Sequence, residues 1–215
     1  LAMARALERD TGTEAVLIDP VYPYYPGRVS LLGGETRFVA AGSDGTVDPK
    51  AVRKAVSDET AFIAINTPNN PTGAVYDHET VAELIAIAEG HDALLIADEV
   101  YDHFDYSGRF ESALTVDSEH RIVTGGFSKS MAITGWRVGY GIFPERFVEG
   151  ATTRHMLTNI AASRPAQAGV LHALQETDPS YYADVRDLLR ERIDTFTDAL
   201  AAAGETAMVE VGRQL

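Results

Sequence analysis

Ala93-Leu-Leu-Ile-Ala-Asp98 is a run of five apolar residues closed by a carboxylate, and Phe62-Ile-Ala-Ile65, closed by Asn66, has the same form. Short runs that are apolar at every position suit β-strands covered on both faces, the condition of a parallel sheet between layers of helix. Working outward from these two, strands are expected at 15–19, 36–40, 61–66, 93–98, 121–127 and 138–143, and helices at 48–56, 78–89 and 161–175. Asp48-Pro49 has the form of an N-cap followed by proline at the first helical position. The alternation predicts an α/β fold, a doubly wound and mostly parallel sheet. One connection differs: between Phe127 and Val138 there is too little chain for a helical crossover, so the strands flanking it are expected to be antiparallel if they pair.

Residues 180–203 read as a long amphipathic helix, with Val185, Leu188, Leu189, Ile193, Phe196 and Leu200 at helical spacing. A possible strand at 207–211 follows Gly204. The expected domain organisation is therefore a large domain over 1–178, a long connecting helix over 179–204 and the start of a smaller domain over 205–215. The first ten residues read as the back half of a helix without an N-cap, so the sheet domain is expected to be incomplete at both ends.

The 215 residues carry 32 acidic and 18 basic side chains, a net charge of -14, and only three lysines, Lys50, Lys54 and Lys129. Such a balance disfavours nucleic acid and anionic membrane as partners. It suits either plain solubility or adaptation to high salt, where acidic self-repulsion is screened. There is no cysteine, which removes disulfides, thiolate metal sites and cysteine nucleophiles. No apolar run reaches the roughly 18–20 residues of a membrane span, and no signal-peptide pattern opens the chain. A cytoplasmic location is the expectation. The six histidines show no metal-ligand spacing, and Gly139-Tyr-Gly141 lacks the third glycine and helix start of a dinucleotide loop.

In an open parallel sheet, ligands sit beyond the carboxyl ends of the strands. The chain places its unusual polar residues there: Asn66–Gly73 after one strand, Asp98–Tyr101 after the next, and Ser128-Lys129 after the third. Lys50 and Lys54 lie among polar residues of a helix surface, whereas Lys129 lies in a small-residue loop after an apolar strand. A lysine in a partly apolar pocket deprotonates more readily and can form a Schiff base with a carbonyl compound. Arg137, eight positions on, could hold an anionic group of the same ligand through paired hydrogen bonds. Taken singly, Asp98 also suits a helix N-cap, Asn70 a turn and Tyr101 core packing.

Asn66-Thr-Pro-Asn-Asn-Pro-Thr-Gly73, Ala97-Asp-Glu-Val-Tyr101 and Gly126-Phe-Ser-Lys-(x7)-Arg137-Val-Gly139 together resemble the three signature blocks of the class I/II aminotransferases, enzymes of fold type I that use pyridoxal 5'-phosphate (PLP). The order and approximate spacing agree, and the resemblance runs through nearly all of the chain. It implies that Lys129 is the Schiff-base lysine and proton shuttle, and that Asp98 pairs with the pyridine nitrogen and keeps the ring an electron sink. It further implies that Asn70 and Tyr101 hydrogen-bond the phenolic oxygen, that Arg137 and Ser128 bind the phosphate, and that Tyr22 in Asp19-Pro-Val-Tyr-Pro-Tyr-Tyr25 stacks on the ring. Glu99 is expected to be structural or solvent-facing. The bonds preceding Pro71 and Pro20 are expected to be cis. In many relatives a phosphate-binding serine stands where this chain has Gly126, a departure that removes one ligand. The family's main phosphate loop would precede Leu1, and its substrate-carboxylate arginine would follow Leu215.

The implied activity is amino transfer from an amino acid to a 2-oxo acid. A β-lyase or decarboxylase of the same fold shares every residue named here, and a non-catalytic PLP-binding sensor domain is the third possibility. The resemblance implies a homodimer and small-molecule substrates, with no nucleic acid, membrane or metal.

Overall fold

Every residue from Thr60 to Asn66 is buried, as are the first four of Leu94–Asp98, so the all-apolar runs lie where their composition predicts, at the centre of a sheet. The structure, a computed structural model, describes Met3 and residues 12–203. The strands are β1 (Glu14–Asp19), β2 (Glu35–Ala40), β3 (Thr60–Asn66), β4 (Leu94–Asp98), β5 (Arg121–Gly126) and β6 (Gly139–Ile142), in the order β2-β1-β3-β4-β5-β6. Every neighbouring pair is parallel except β5 and β6, which are antiparallel. The short connection dictates that exception.

Side chains alternate between the two faces of the sheet. Val16, Ile63, Leu95 and Val123 meet Val52 of α2 (Pro49–Ala55) and Leu84 and Ile85 of α3 (His78–Gly90). On the other face Leu17, Phe62, Leu94 and Ile122 meet Tyr25 and Val29 of α1 (Tyr24–Leu31) and Phe147 of α5 (Glu145–Asn159). Each fully buried aliphatic side chain of this kind contributes roughly 1.5–3 kcal/mol. Helices thus cover both faces, as a doubly wound sheet requires. Asp48 caps α2 by accepting from Lys50 N at 2.9 Å, with Pro49 at the first helical position.

Several boundaries differ from the sequence reading. Phe127 leaves the strand and opens the four-residue α4 (Phe127–Ser130). The helix expected from 161 begins later, as α6 (Arg164–Glu176), with Pro165 in its first turn. Two helices were not anticipated: α1, hidden behind a proline-rich segment, and α5, whose polar sequence has weak apolar periodicity. The long helix is α7 (Ser180–Ala202), but Leu188 and Phe196 of its apolar stripe are exposed and Thr197 is its buried residue. Its first turns dock through Tyr182, stacked on His103 at 4.0 Å. The helix read in residues 1–10, apart from Met3, and the strand at 207–211 lie outside the described residues. Among the described residues no helix is long and apolar enough to cross a membrane.

Candidate active site

Strand register builds the site. Asn66 of β3 pairs with Asp98 of β4, and Asp98 pairs with Thr124 of β5, so these three residues lie level across adjacent parallel strands at or near their carboxyl ends. The strand order reverses between β1 and β3, which places the crevice for a ligand beyond the carboxyl ends of β1 and β3, beside those of β4 and β5. A cavity of about 430 Å³ lies there, and Tyr22, Asn70, Asp98, Tyr101, Ser128, Lys129 and Arg137 all line it. Every residue singled out from the sequence as a catalytic or cofactor-binding candidate thus reaches one space.

Asn66 ties two strand ends together. Its Nδ2 donates to Asp98 O at 2.9 Å, and its Oδ1 accepts from Asn70 N at 2.7 Å. Asn70, whose bond to Pro71 is cis, then donates from Nδ2 to Tyr101 Oη at 3.3 Å. The Asp19–Pro20 and Thr67–Pro68 bonds are also cis. Lys129 projects from α4 with Nζ 5.5 Å from the centre of the Tyr101 ring. Its side chain is exposed at the mouth of an open cavity rather than enclosed by apolar groups. Arg137 adopts a left-handed backbone and donates from Nη1 to Thr134 O at 2.8 Å. Thr134 donates in turn to Ser128 O at 3.0 Å, which closes the lysine loop. Tyr22 stands edge-on to Tyr25, ring centres 5.6 Å apart.

Asp98 is shielded at the cavity floor. Burial raises its carboxyl above the ordinary carboxylate range, and hydrogen bonds from Tyr25 Oη to Oδ2 and from Val100 N to Oδ1, with the charge of Arg28, offset only part of that rise. Glu99 faces the other way. It is buried and structural rather than solvent-facing, and accepts from Ser112 Oγ at 2.6 Å and Ala113 N at 2.7 Å.

Gly126 now has a physical reading. A Cβ there would lie 3.3 Å from Gly139 Cα and 3.4 Å from Val138 O, so a serine at this position would press on the backbone of the neighbouring strand. Among the lining residues not identified from the sequence as cofactor ligands, Asn66, Tyr25 and Arg28 carry polar groups that bear on Asp98. The signal for Asn66 was present, an amide closing an apolar strand. Tyr25 stood in the aromatic segment matched to the stacking ring but with no sign that it would reach Asp98, and Arg28 gave no signal, because helix α1 itself was not foreseen. Among the described residues no group of acidic or histidine side chains could hold a metal ion.

The sequence pattern of the family described as aminotransferase class I and II matches residues 1–212. The aspartate/prephenate aminotransferase of Thermus thermophilus is 34% identical over 203 residues, 93% of this chain and 53% of that protein. The aspartate aminotransferase of Thermotoga maritima is 35% identical over 176 residues, 80% of this chain and 46% of that protein. Among solved structures, the Thermus thermophilus aspartate aminotransferase with maleate superposes with a TM-score of 0.87 at 32% identity, covering 94% of this chain and 54% of that one. The N-succinyldiaminopimelate aminotransferase of Mycobacterium tuberculosis gives 0.86 at 31% identity, covering 94% and 55%. The chain spans about half the length of the relatives it matches.

Proposed function

We propose that this chain, which belongs to the class I and II aminotransferase family, forms the cofactor-binding part of an enzyme that moves an amino group from an amino acid to a 2-oxo acid. The observation that carries the reading is the meeting of an amine, a carboxylate, an amide–phenol pair and a guanidinium on one cavity at the ends of three successive strands.

That donor set fits PLP group for group: an amine for the aldehyde, a carboxylate for the ring nitrogen, amide and hydroxyl donors for the phenolic oxygen, and a cation with a hydroxyl for the phosphate. When bound, PLP supplies a carbonyl that takes up the substrate amine and a ring that accepts the electron pair released at the α-carbon. Lys129 Nζ anchors the cofactor and is the base that takes and returns the α-carbon proton. Asp98 supplies the anionic partner of the ring nitrogen. Asn70 Nδ2 and Tyr101 Oη hold the phenolic oxygen. Ser128 and Arg137 hold the phosphate, and Tyr22 offers an aromatic face to the ring. The domain reading extends this: α7 leads out of the cofactor domain (1–178) as a connecting helix toward a smaller domain from 205 onward.

The substrates are small molecules, an amino acid and a 2-oxo acid, with aspartate the first donor to try, since relatives at 34–35% identity bear its name. A homodimer fits the strong exposure of Leu31 (87%), Leu157 (83%) and Ile160 (81%), apolar side chains that a partner would cover. A cytoplasmic location completes the proposal, and a chain without cysteine fits it as it fits any compartment.

The test is a visible absorption titration of the full-length protein with PLP, followed by aspartate, glutamate and an aromatic amino acid in turn, with Lys129→Ala alongside. A cofactor band that a donor removes, that a 2-oxo acid restores and that the variant lacks supports amino transfer. A band that no amino acid alters overturns amino transfer in favour of a lyase or sensor. No band in the wild type overturns the assignment of Lys129.

A further inference from the structure

Tyr25 is buried, at 5% exposure, on the first turn of α1, and its hydroxyl donates to Asp98 Oδ2 across 73 residues of sequence. Burial and the neighbouring carboxylate push the Tyr25 phenol far above its ordinary range, so the hydroxyl keeps its proton and acts as a donor. Tyr25, Arg28 and Asp98 line both the 430 Å³ cavity and an adjoining one of about 570 Å³. The Tyr25–Asp98 pair therefore forms part of the partition between two spaces. Arg28 lies three positions on from Tyr25 in the same helix, one turn away, and its charge favours the ionised form of Asp98.

We propose that Tyr25 is a positioning residue for the reaction, its hydroxyl fixing the Asp98 carboxylate as the anionic partner of a ring nitrogen, with Arg28 supplying the charge that supports it. The inference rests on the proposed cofactor reading. A carboxylate oxygen offers more than one acceptor position, so Asp98 can take the Tyr25 and Val100 bonds and still receive a third donor. Without the Tyr25 bond a shielded carboxylate loses a charge-assisted hydrogen bond, and it can turn or take up a proton. Either change removes the ion pair it would offer. Glu99, Tyr22, Tyr101, Lys129 and Arg137 and, in the second cavity, Tyr140 and His155 are the other titratable groups around this carboxyl. None of them makes a hydrogen bond to it among the described residues.

The experiment compares dissociation constants of two probes for the full-length protein: PLP, and its 1-deaza analogue with CH in place of the ring nitrogen. Tyr25→Phe is expected to bind PLP roughly tenfold more weakly, the size of one hydrogen bond to a charged group, while its affinity for the analogue stays at the wild-type value. In an Asp98→Asn background, Tyr25→Phe is expected to cause no further loss. Equal weakening of both probes overturns the proposal and makes Tyr25 a packing residue only. Unchanged PLP affinity also overturns it. Failure of the wild type to bind PLP overturns the cofactor reading and this proposal together, which separates the two failures.

Discussion

Asn66 Nδ2 donates to the main-chain oxygen of Asp98 at 2.9 Å, and Asn66 itself is only 6% exposed. Its other amide atom takes the Asn70 amide hydrogen, so one side chain sets both the loop after β3 and the end of β4. Asn66→Ala leaves the Asn70 N–H without its partner in a shielded place and removes one of two donors from the Asp98 carbonyl, which keeps Thr67 N at 3.0 Å. The expected loss of unfolding free energy is about 1–3 kcal/mol, together with weaker PLP binding because Asn70 and Asp98 both shift. Urea denaturation and a PLP titration check the two effects. A loss below about 0.5 kcal/mol would show that water replaces the amide without cost.

Strands β5 and β6 approach closely through glycine. A Cβ on Gly139 would lie 2.8 Å from Gly125 O, a backbone atom, whereas a Cβ on Gly125 would meet the ring of Tyr140 at 2.5 Å. Backbone cannot step aside without breaking the ladder, but Tyr140 is 45% exposed and can turn. Gly139→Ala is therefore expected to destabilise by about 1–3 kcal/mol and Gly125→Ala by less. The order of the two melting temperatures is the check, and the reverse order would contradict the close approach.

Burial pushes the Glu99 carboxyl up from its ordinary 4.5, with Asp98 and Asp102 adding to the rise and the Ser112 and Ala113 bonds opposing it. The folded state then binds this proton more tightly than the unfolded state, so the Glu99 contribution to stability falls as pH rises from about 4.5 through the raised value. Gln at this position keeps an acceptor for Ala113 N and does not titrate. Glu99→Gln is expected to flatten the decline of stability across the weakly acidic range, measured by urea midpoints at a series of pH values. An unaltered slope would assign that decline to other groups, Asp98 first among them.

With 32 acidic against 18 basic side chains, self-repulsion opposes the folded state at low ionic strength. Salt screens it over a Debye length of about 3 Å at 1 M against about 10 Å at 0.1 M. The melting temperature is expected to rise steadily with KCl toward molar concentrations. A flat or falling curve would leave the acidity as a matter of solubility alone.

The two strand runs, the level polar strand ends and the three motif blocks were legible because each is written locally, in a few consecutive residues whose periodicity and chemistry need no distant partner. The same locality gave the antiparallel β6, from the length of one connection. Helix α1 was not legible, since Asp19-Pro-Val-Tyr-Pro-Tyr-Tyr25 is dominated by turn chemistry until packing of Tyr25 and Val29 against the sheet decides for a helix. The enclosure expected for Lys129 depends on what surrounds it, and here its side chain is exposed. By itself, the sequence determined a parallel sheet with an amine, a carboxylate and an amide at one rim. Only the tertiary structure decided that Asn66 would join two of those ends and that Tyr25 would reach Asp98 from 73 residues away. Such contacts follow from strand register and from how a helix seats on the sheet, which no local stretch of chain encodes.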